Sequence, residues 1–299
     1  MTYDVVVVGS GPAGLSAAVA LGRALRSVLV IDAGEPRNAP AEGVHNYLTR
    51  DHQSPAEFRA QGRAEVERYG GHFLDGTVAA VTGKADDFTV HLADGTTVTA
   101  RRVLVTSGLR DVLPDIPGLA ERWGKTVLHC PYCHGYEVRG EPIGVIASSE
   151  MAMHAGLLWS QWTSDLTLFL NDSFTPDEDQ VRQLATRGVR LVPGRVVAVG
   201  DYGVRLADGT VIPRAHLVVQ TRLECRADFL APLGVKPVEH PTGNATHLAT
   251  EDPSGRTAVP GLWVAGNVTD PMAQVITAAT AGVGAGAMIN MDLILADAG

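Results

Sequence analysis

Cysteine is scarce in this chain of 299 residues: three occur, too few for the disulfide framework of a small secreted domain. Basic residues are outnumbered as well, 24 Lys and Arg against 33 Asp and Glu for a net charge of −9, and they are scattered. No field results that would hold a phosphate backbone or an anionic membrane surface, so neither nucleic acid nor membrane is an expected partner. Apolar runs approaching the roughly 20 residues that span a bilayer are missing too, as are low-complexity segments. Met1-Thr2-Tyr3-Asp4 leads straight into an apolar strand pattern, with no basic leader or cleavage site ahead of it, so the expectation is a soluble, cytoplasmic protein.

What is present is a rhythm. Val5 to Gly9 reads as a strand, Gly11 to about Arg26 as an Ala-rich helix and Val28 to Asp32 as a second strand, the β-α-β order of a parallel, doubly wound sheet. A hairpin with an Asp94-Gly95 turn follows and leads into the strand Arg102 to Thr106; the pattern is written again around Asp208-Gly209, leading into His216 to Gln220. Such an echo predicts two domains of related build. Ile143 to Ala147 opens the second β-α-β pattern, with a helix from about Met151 to Trp162 and a strand Leu166 to Leu170. The expected fold class is α/β with two Rossmann-like doubly wound nucleotide-binding domains. Pro/Gly stretches at 113–118 and 239–243 mark the expected crossings. They divide the chain into a discontinuous domain of 1–115 with 243–299, including a small-residue helix from Gln274 to Ala287, and a domain of 116–242.

Gly9-Ser10-Gly11-Pro12-Ala13-Gly14 follows the first strand and opens the first helix, the context a G-x-G-x-x-G string needs before it counts. Gly9 makes the tight turn, Gly11 lets the backbone approach a pyrophosphate, and Gly14 allows close helix–strand packing. Asp32 ends the second strand where a ribose-binding acid belongs. A dinucleotide cofactor is expected here.

His129-Cys130-Pro131-Tyr132-Cys133-His134-Gly135-Tyr136-Glu137 is the most informative stretch. A c-type haem attachment needs export, for which no signal is seen, and zinc needs a second half-site that is missing, so no metal is expected. A pair of buried thiols and a catalytic disulfide are the remaining readings. The flanking imidazoles favour the latter, because they lower a thiol pKa and titrate near neutrality. The solitary Cys225 reads as a core thiol, and Trp159 and Trp162, with Leu158, as core or dimer contacts.

In the second domain the stretch aligned with the glycine loop is Ala147-Ser148-Ser149-Glu150-Met151-Ala152. The first two glycines are replaced and Glu150 brings negative charge toward the place of a pyrophosphate. The next strand ends Asn171-Asp172-Ser173 without Arg or Lys, although a 2′-phosphate needs cations. The second domain is therefore expected to carry the cysteines without binding NADPH.

The glycine loop, Thr106-Ser107-Gly108 with Pro114 and Pro117, and the C-terminal Gly261-x-x-x-x-Gly266-Asn267 resemble the signatures of the thioredoxin reductase-like flavoproteins. With Cys-Pro-Tyr-Cys-His-Gly-Tyr-Glu and the eroded second loop, the whole chain resembles the FAD dithiol oxidases that close disulfides in natural products such as gliotoxin and holomycin. The resemblance implies FAD held by Gly9, Gly11, Pro12, Ala13, Gly14, Asp32, Asn46, Thr106, Ser107, Gly108, Gly266, Asn267, Gln274 and Val275, with Tyr47 near the flavin. Asn267 replaces the family's acid toward the ribitol. It also implies catalytic roles for Cys130 as interchange thiol, Cys133 facing the flavin and His134 as proton carrier in place of an Asp, with His129 the second candidate base. The partners implied are a small-molecule dithiol, O2 and a second copy of the chain. The alternative is a disulfide reductase fed by NADPH or ferredoxin.

Overall fold

The computed structural model describes residues 2–299, and the chain divides into two units, Met1–Asp111 with Leu223–Gly299 and Val112–Arg222. The first opens with β1 (Thr2–Val8), α1 (Pro12–Arg23), β2 (Val28–Asp32), α2 (Pro55–Arg68), β3 (His72–Asp75), β4 (Val78–Lys84), β5 (Asp87–Leu92), β6 (Thr97–Val105) and β7 (Leu109–Val112). The second carries β8 (Val127–Leu128), α3 (Pro131–His134), β9 (Ile143–Ile146), α4 (Ala152–Trp159), β10 (Leu166–Phe169) and α5 (Glu178–Thr186). It continues with β11 (Arg190–Val192), β12 (Val196–Gly200), β13 (Gly203–Leu206), β14 (Val211–Ile212) and β15 (His216–Val219). The return runs through β16 (Arg222–Cys225), β17 (Val238–Glu239), β18 (Thr246–His247) and β19 (Leu262–Val264) to α6 (Val275–Ala298).

In the first unit the strand order is β3-β2-β1-β6-β5-β4, with β19 also beside β6. β1 runs parallel to β2 and β6, and β5 antiparallel to β4 and β6. Side chains alternate across a strand, so β1 feeds two cores. Val5 and Val7 pack with Leu15 and Leu21 of α1 and Ile289 of α6, while Val6 and Val8 pack with Phe88, Val90 and Leu230. Burial on both faces is what an unbroken Val run in a parallel sheet requires. Pro12 starts α1 at a position where its missing N–H costs nothing, and the chain leaves the helix through Leu25 at φ 63°, three residues before β2 rather than at Arg26.

The second unit has a parallel sheet in the order β11-β10-β9-β15-β8 and a separate meander, β12-β13-β14. The internal echo is structural. Gly95 and Gly209 both sit at φ 90°, and in both turns the Asp carboxylate accepts from the Thr N–H two residues on, Asp94 from Thr96 at 2.9 Å and Asp208 from Thr210 at 2.8 Å. Helix α4 is shorter than the sequence pattern implied, ending at Trp159 rather than Trp162.

Three boundaries differ from the sequence-based expectation, the first of them slightly: the opening segment of the first unit ends at Asp111, not at 115. The chain rejoins the first unit at Leu223, not 243, because Leu223, Cys225, Ala227 and Leu230 bury themselves in the core that holds Val81 and Phe88. The Pro241-Thr242-Gly243 signal marks the turn between β17 and β18, where Gly243 takes φ 70°. The final helix extends past Ala287 to Ala298, and its 24 residues do reach a membrane-spanning length and composition. Its face of Ala278, Ala279, Gly282, Ala285, Gly286, Ile289 and Leu293 is nonetheless buried, and Gly282 lies so close to α1 that a Cβ there would stand 2.0 Å from the Ala13 carbonyl oxygen.

Candidate active site

The glycine loop is built as its spacing demands. Gly9 takes φ 104°, and a Cβ on it would stand 2.6 Å from the Thr106 carbonyl oxygen. At Gly14 the same atom would come within 1.9 Å of the Gly9 carbonyl oxygen. Gly11, the N-cap of α1, differs: among the described residues a Cβ there meets nothing within 4 Å, so the backbone faces open space where the helix presents its first N–H groups. Thr106 braces the turn, its hydroxyl donating to the Val8 and Gly9 carbonyls, each at 2.9 Å.

Asp32 reaches this loop and accepts from the Ser10 N–H at 3.1 Å. Arg59 of α2 donates to Asp32 at 2.6 Å and to the Ser10 hydroxyl at 3.2 Å, while its Nε is buried with no partner among the described residues. A buried guanidinium nitrogen without an acceptor is costly, and beside an open helix N-terminus it fits a ligand carrying phosphate or hydroxyl oxygens. Sequence reading missed Arg59, because nothing in the spacing of α2 points it at the loop.

The other residues implied by resemblance are placed as follows. Ser107 donates to the Arg226 carbonyl, and the Arg226 N–H donates to the Gly108 carbonyl at 3.2 Å, which ties the turn to the returning chain. Gly266, at φ 79°, packs against α1: a Cβ on it would lie 2.8 Å from that of Ala13. Glycine loop, Thr106 turn and C-terminal signature therefore meet around the start of α1. The Asn267 amide donates to the Asp270 and Ala273 carbonyls at 3.1 and 2.9 Å, which a carboxylate could not do. Its change from the family's acid thus has a local structural reason, with the amide oxygen left for other bonding. Gln274 caps α6 and Val275 begins it. Asn46 sits on a separate loop at φ 60°, its N–H donating to Asp51 at 3.1 Å.

In the second unit Cys130 is the N-cap of the single-turn helix α3, with Pro131 at the first helical position. The turn places the Cys130 and Cys133 sulfurs 2.7 Å apart, within reach of disulfide formation with little movement. His134 ends the helix and His129 precedes the pair. Trp162 packs on Gly135 so tightly that a Cβ there would lie 2.9 Å from the indole, and Tyr132, 56% exposed between the cysteines, meets it edge-on at 5.9 Å. Trp162, expected as core or dimer contact, is thus the floor of the cysteine turn. Cys225 is buried, and burial together with the Asp228 carboxylate pushes its thiol up to about 12, so it supplies no thiolate at neutral pH.

The loop that replaces the second glycine motif is tied to α5 and to the segment after β15. Glu150 accepts from the Gln180 side chain at 2.6 Å, and the Ser149 hydroxyl donates to Gln220 at 3.2 Å. The Ala152 and Met153 N–H groups, which would face a pyrophosphate, donate instead to the Ser149 and Glu150 carbonyls. Asn171 staples the neighbouring turn, donating to the Ala147 carbonyl at 3.0 Å and accepting from the Val196 N–H at 2.8 Å.

Two Rossmann-like units, one with an open glycine loop and one with a vicinal cysteine pair, define a thiol–disulfide oxidoreductase. The family profile described as pyridine nucleotide-disulphide oxidoreductase matches residues 3–282, and the chain belongs to that family. Among curated relatives, thioredoxin reductase sirT of Leptosphaeria maculans is 36% identical, over 99% of this chain and 95% of its own. Thioredoxin reductase tcpT of Claviceps purpurea is 32% identical, over 97% of this chain and 94% of its own. Among solved structures, the oxidoreductase from Agrobacterium tumefaciens is 39% identical with a TM-score of 0.93, covering 99% of both chains. HlmI is 42% identical with a TM-score of 0.91, over 99% of this chain and 94% of its own. Fold, enzyme class and thioredoxin reductase-like kinship thus agree with the sequence reading.

Proposed function

We propose that the protein is an FAD-dependent dithiol oxidase that closes a disulfide in a small-molecule dithiol. The observation that carries this reading is the pairing of a cysteine couple 2.7 Å apart with a second nucleotide loop that has lost its first two glycines and carries Glu150, bonded to Gln180. A thiol source of electrons is present, while the loop suited to a nicotinamide cofactor is eroded.

One substrate thiolate attacks Cys130 Sγ of the enzyme disulfide, releasing Cys133 as thiolate and forming a mixed disulfide; the second substrate thiol then displaces Cys130. The substrate leaves as its disulfide, two electrons poorer, and the enzyme keeps the dithiol. His134, with His129 as second candidate, takes the substrate protons, a task suited to imidazole near neutrality. The glycine loop, Asp32, Arg59 and the C-terminal signature would hold FAD, which would supply two-electron redox chemistry between the dithiol of Cys130 and Cys133 and O2, with H2O2 as the product. The substrate class is a natural-product dithiol, the working form a homodimer and the compartment the cytoplasm.

The test is oxygen uptake by the flavin-loaded protein with a panel of reduced small dithiols, with peroxide measured alongside. The expected result is one peroxide per disulfide formed, abolished in Cys133→Ser. Dithiol-independent uptake, or full activity in that variant, would overturn the reading.

A further inference from the structure

The loop from Gly43 to Gln53 holds a side-chain cluster that the redox site does not use. Its base is pinned by hydrogen bonds from the Val44 N–H to the Gln53 carbonyl at 2.8 Å and from the His52 N–H to the Val44 carbonyl at 2.9 Å. Within it three non-glycine residues, Asn46, Thr49 and His52, take positive φ angles of 60°, 73° and 64°, each a conformation that costs a side-chain-bearing residue free energy. This path brings His45, Asp51 and His52 together. His45 Nδ1 lies 3.4 Å from Asp51 Oδ1 and His52 Nε2 3.6 Å from Asp51 Oδ2. One donor atom from each of the three falls within 4.8 Å of the others.

Those separations carry chemical information. Four ligands at about 2.0–2.1 Å around zinc stand about 3.3 Å from one another; each imidazole already lies near that distance from one Asp51 oxygen, His45 from Oδ1 and His52 from Oδ2, and with all three donors within 4.8 Å a small side-chain rotation closes the set on one ion. The donor set, two imidazoles and one carboxylate, suits a borderline divalent ion better than hard Ca2+ or Mg2+, which take oxygen ligands. Outer contacts are also in place. The Asn46 N–H donates to Asp51 at 3.1 Å, orienting the carboxylate as outer partners of metal ligands do. Gly43 leaves room for the His45 ring, since a Cβ there would stand 3.1 Å from Nε2, so Nδ1 is the nitrogen turned toward Asp51.

We propose that His45, Asp51 and His52 bind one divalent transition-metal ion, zinc foremost, with the remaining coordination position taken by water. This departs from the sequence-based expectation of no metal, for a local reason: the spacing H-x5-D-H matches no familiar zinc signature, and the three side chains meet through a loop with positive φ at Asn46, Thr49 and His52. The ion would clamp the loop that carries Asn46.

The test uses the full-length, flavin-loaded, tag-free protein with its cysteines oxidised, so that thiolates do not compete, in equilibrium dialysis against micromolar Zn2+. The result expected is one zinc per chain, with hydrogen exchange across residues 44–53 slowed by the metal. Asp51→Asn and His52→Gly should each weaken binding by more than about tenfold. The glycine variant relaxes a positive φ angle, so it remains folded. No retained zinc, or zinc retained equally by both variants, would overturn the proposal.

Discussion

At the scale of single residues, the Arg59 guanidinium bonds Asp32 and Ser10 while its buried Nε has no partner among the described residues. Arg59→Met should leave the fold intact and weaken retention of the flavin by about 10–100-fold, the worth of charge-assisted hydrogen bonds. Flavin release on dilution, followed by fluorescence, would reveal it; unchanged retention would remove Arg59 from the proposed cofactor site. Arg59 was not legible in the sequence: it meets Asp32 and Ser10 only because α2 packs beside the loop, and any surface helix carries arginines. The glycine loop was legible because its chemistry is backbone chemistry. Gly9 and Gly14 are fixed by approaches of 2.6 and 1.9 Å to carbonyl oxygens, and a distance of that kind leaves its mark on residue type at fixed spacing. The Cys130–Cys133 pair was legible for the same reason, since one helical turn brings its sulfurs together.

Among elements, the starts were found close to where they were expected, while the ends of three helices and one domain crossing were displaced. β1, α1, β2 and the two Asp-Gly turns lie where the apolar pattern put them, because burial on both faces selects Val runs and a tight turn selects glycine. The Pro/Gly stretch at 239–243 is as strong a turn signal as any, yet it closes the β17–β18 hairpin. The actual crossing at Leu223 is written in core burial, which one sequence displays only as a few scattered apolar residues. Helix α6 depends on α1 through small residues. Gly282→Ala forces a methyl group against the Ala13 backbone, and the expected cost is about 1–3 kcal/mol of stability from overpacking, measurable by denaturant unfolding. A neutral outcome would mean that α6 is not seated on α1 as described.

For the first unit as a whole, charge joins what is distant in sequence. Arg26 and Arg101 reach both Asp4 at the start of the chain and Asp297 at its end, and Arg102 pairs with Asp86 and Asp292. Burial alone would raise Asp4, but the Ser27 donors, with Arg26 and Arg101, hold its carboxyl below the ordinary value of 3.8. Asp297 is held below it by Arg101 first and then Arg26. With folded values below the unfolded ones, this stabilisation is fully present above the ordinary carboxylate range and is lost as pH falls through the lowered values. Thermal midpoints measured from neutral pH down to about pH 2 should therefore fall in acid, and less steeply in Arg101→Met. Parallel curves would contradict the network's role.

The two units divide the labour proposed for this chain, an open dinucleotide loop in one and a redox-active cysteine pair in the other, where the second unit's own nucleotide loop has lost its first two glycines and carries Glu150. The most direct measurement is the flavin absorbance of the loaded protein under anaerobic conditions, mixed in turn with NADPH and with a reduced small dithiol. The account predicts that the dithiol bleaches the yellow band, that admitted oxygen restores it, and that NADPH leaves it unchanged. Rapid bleaching by NADPH, with none by the dithiol, would contradict it.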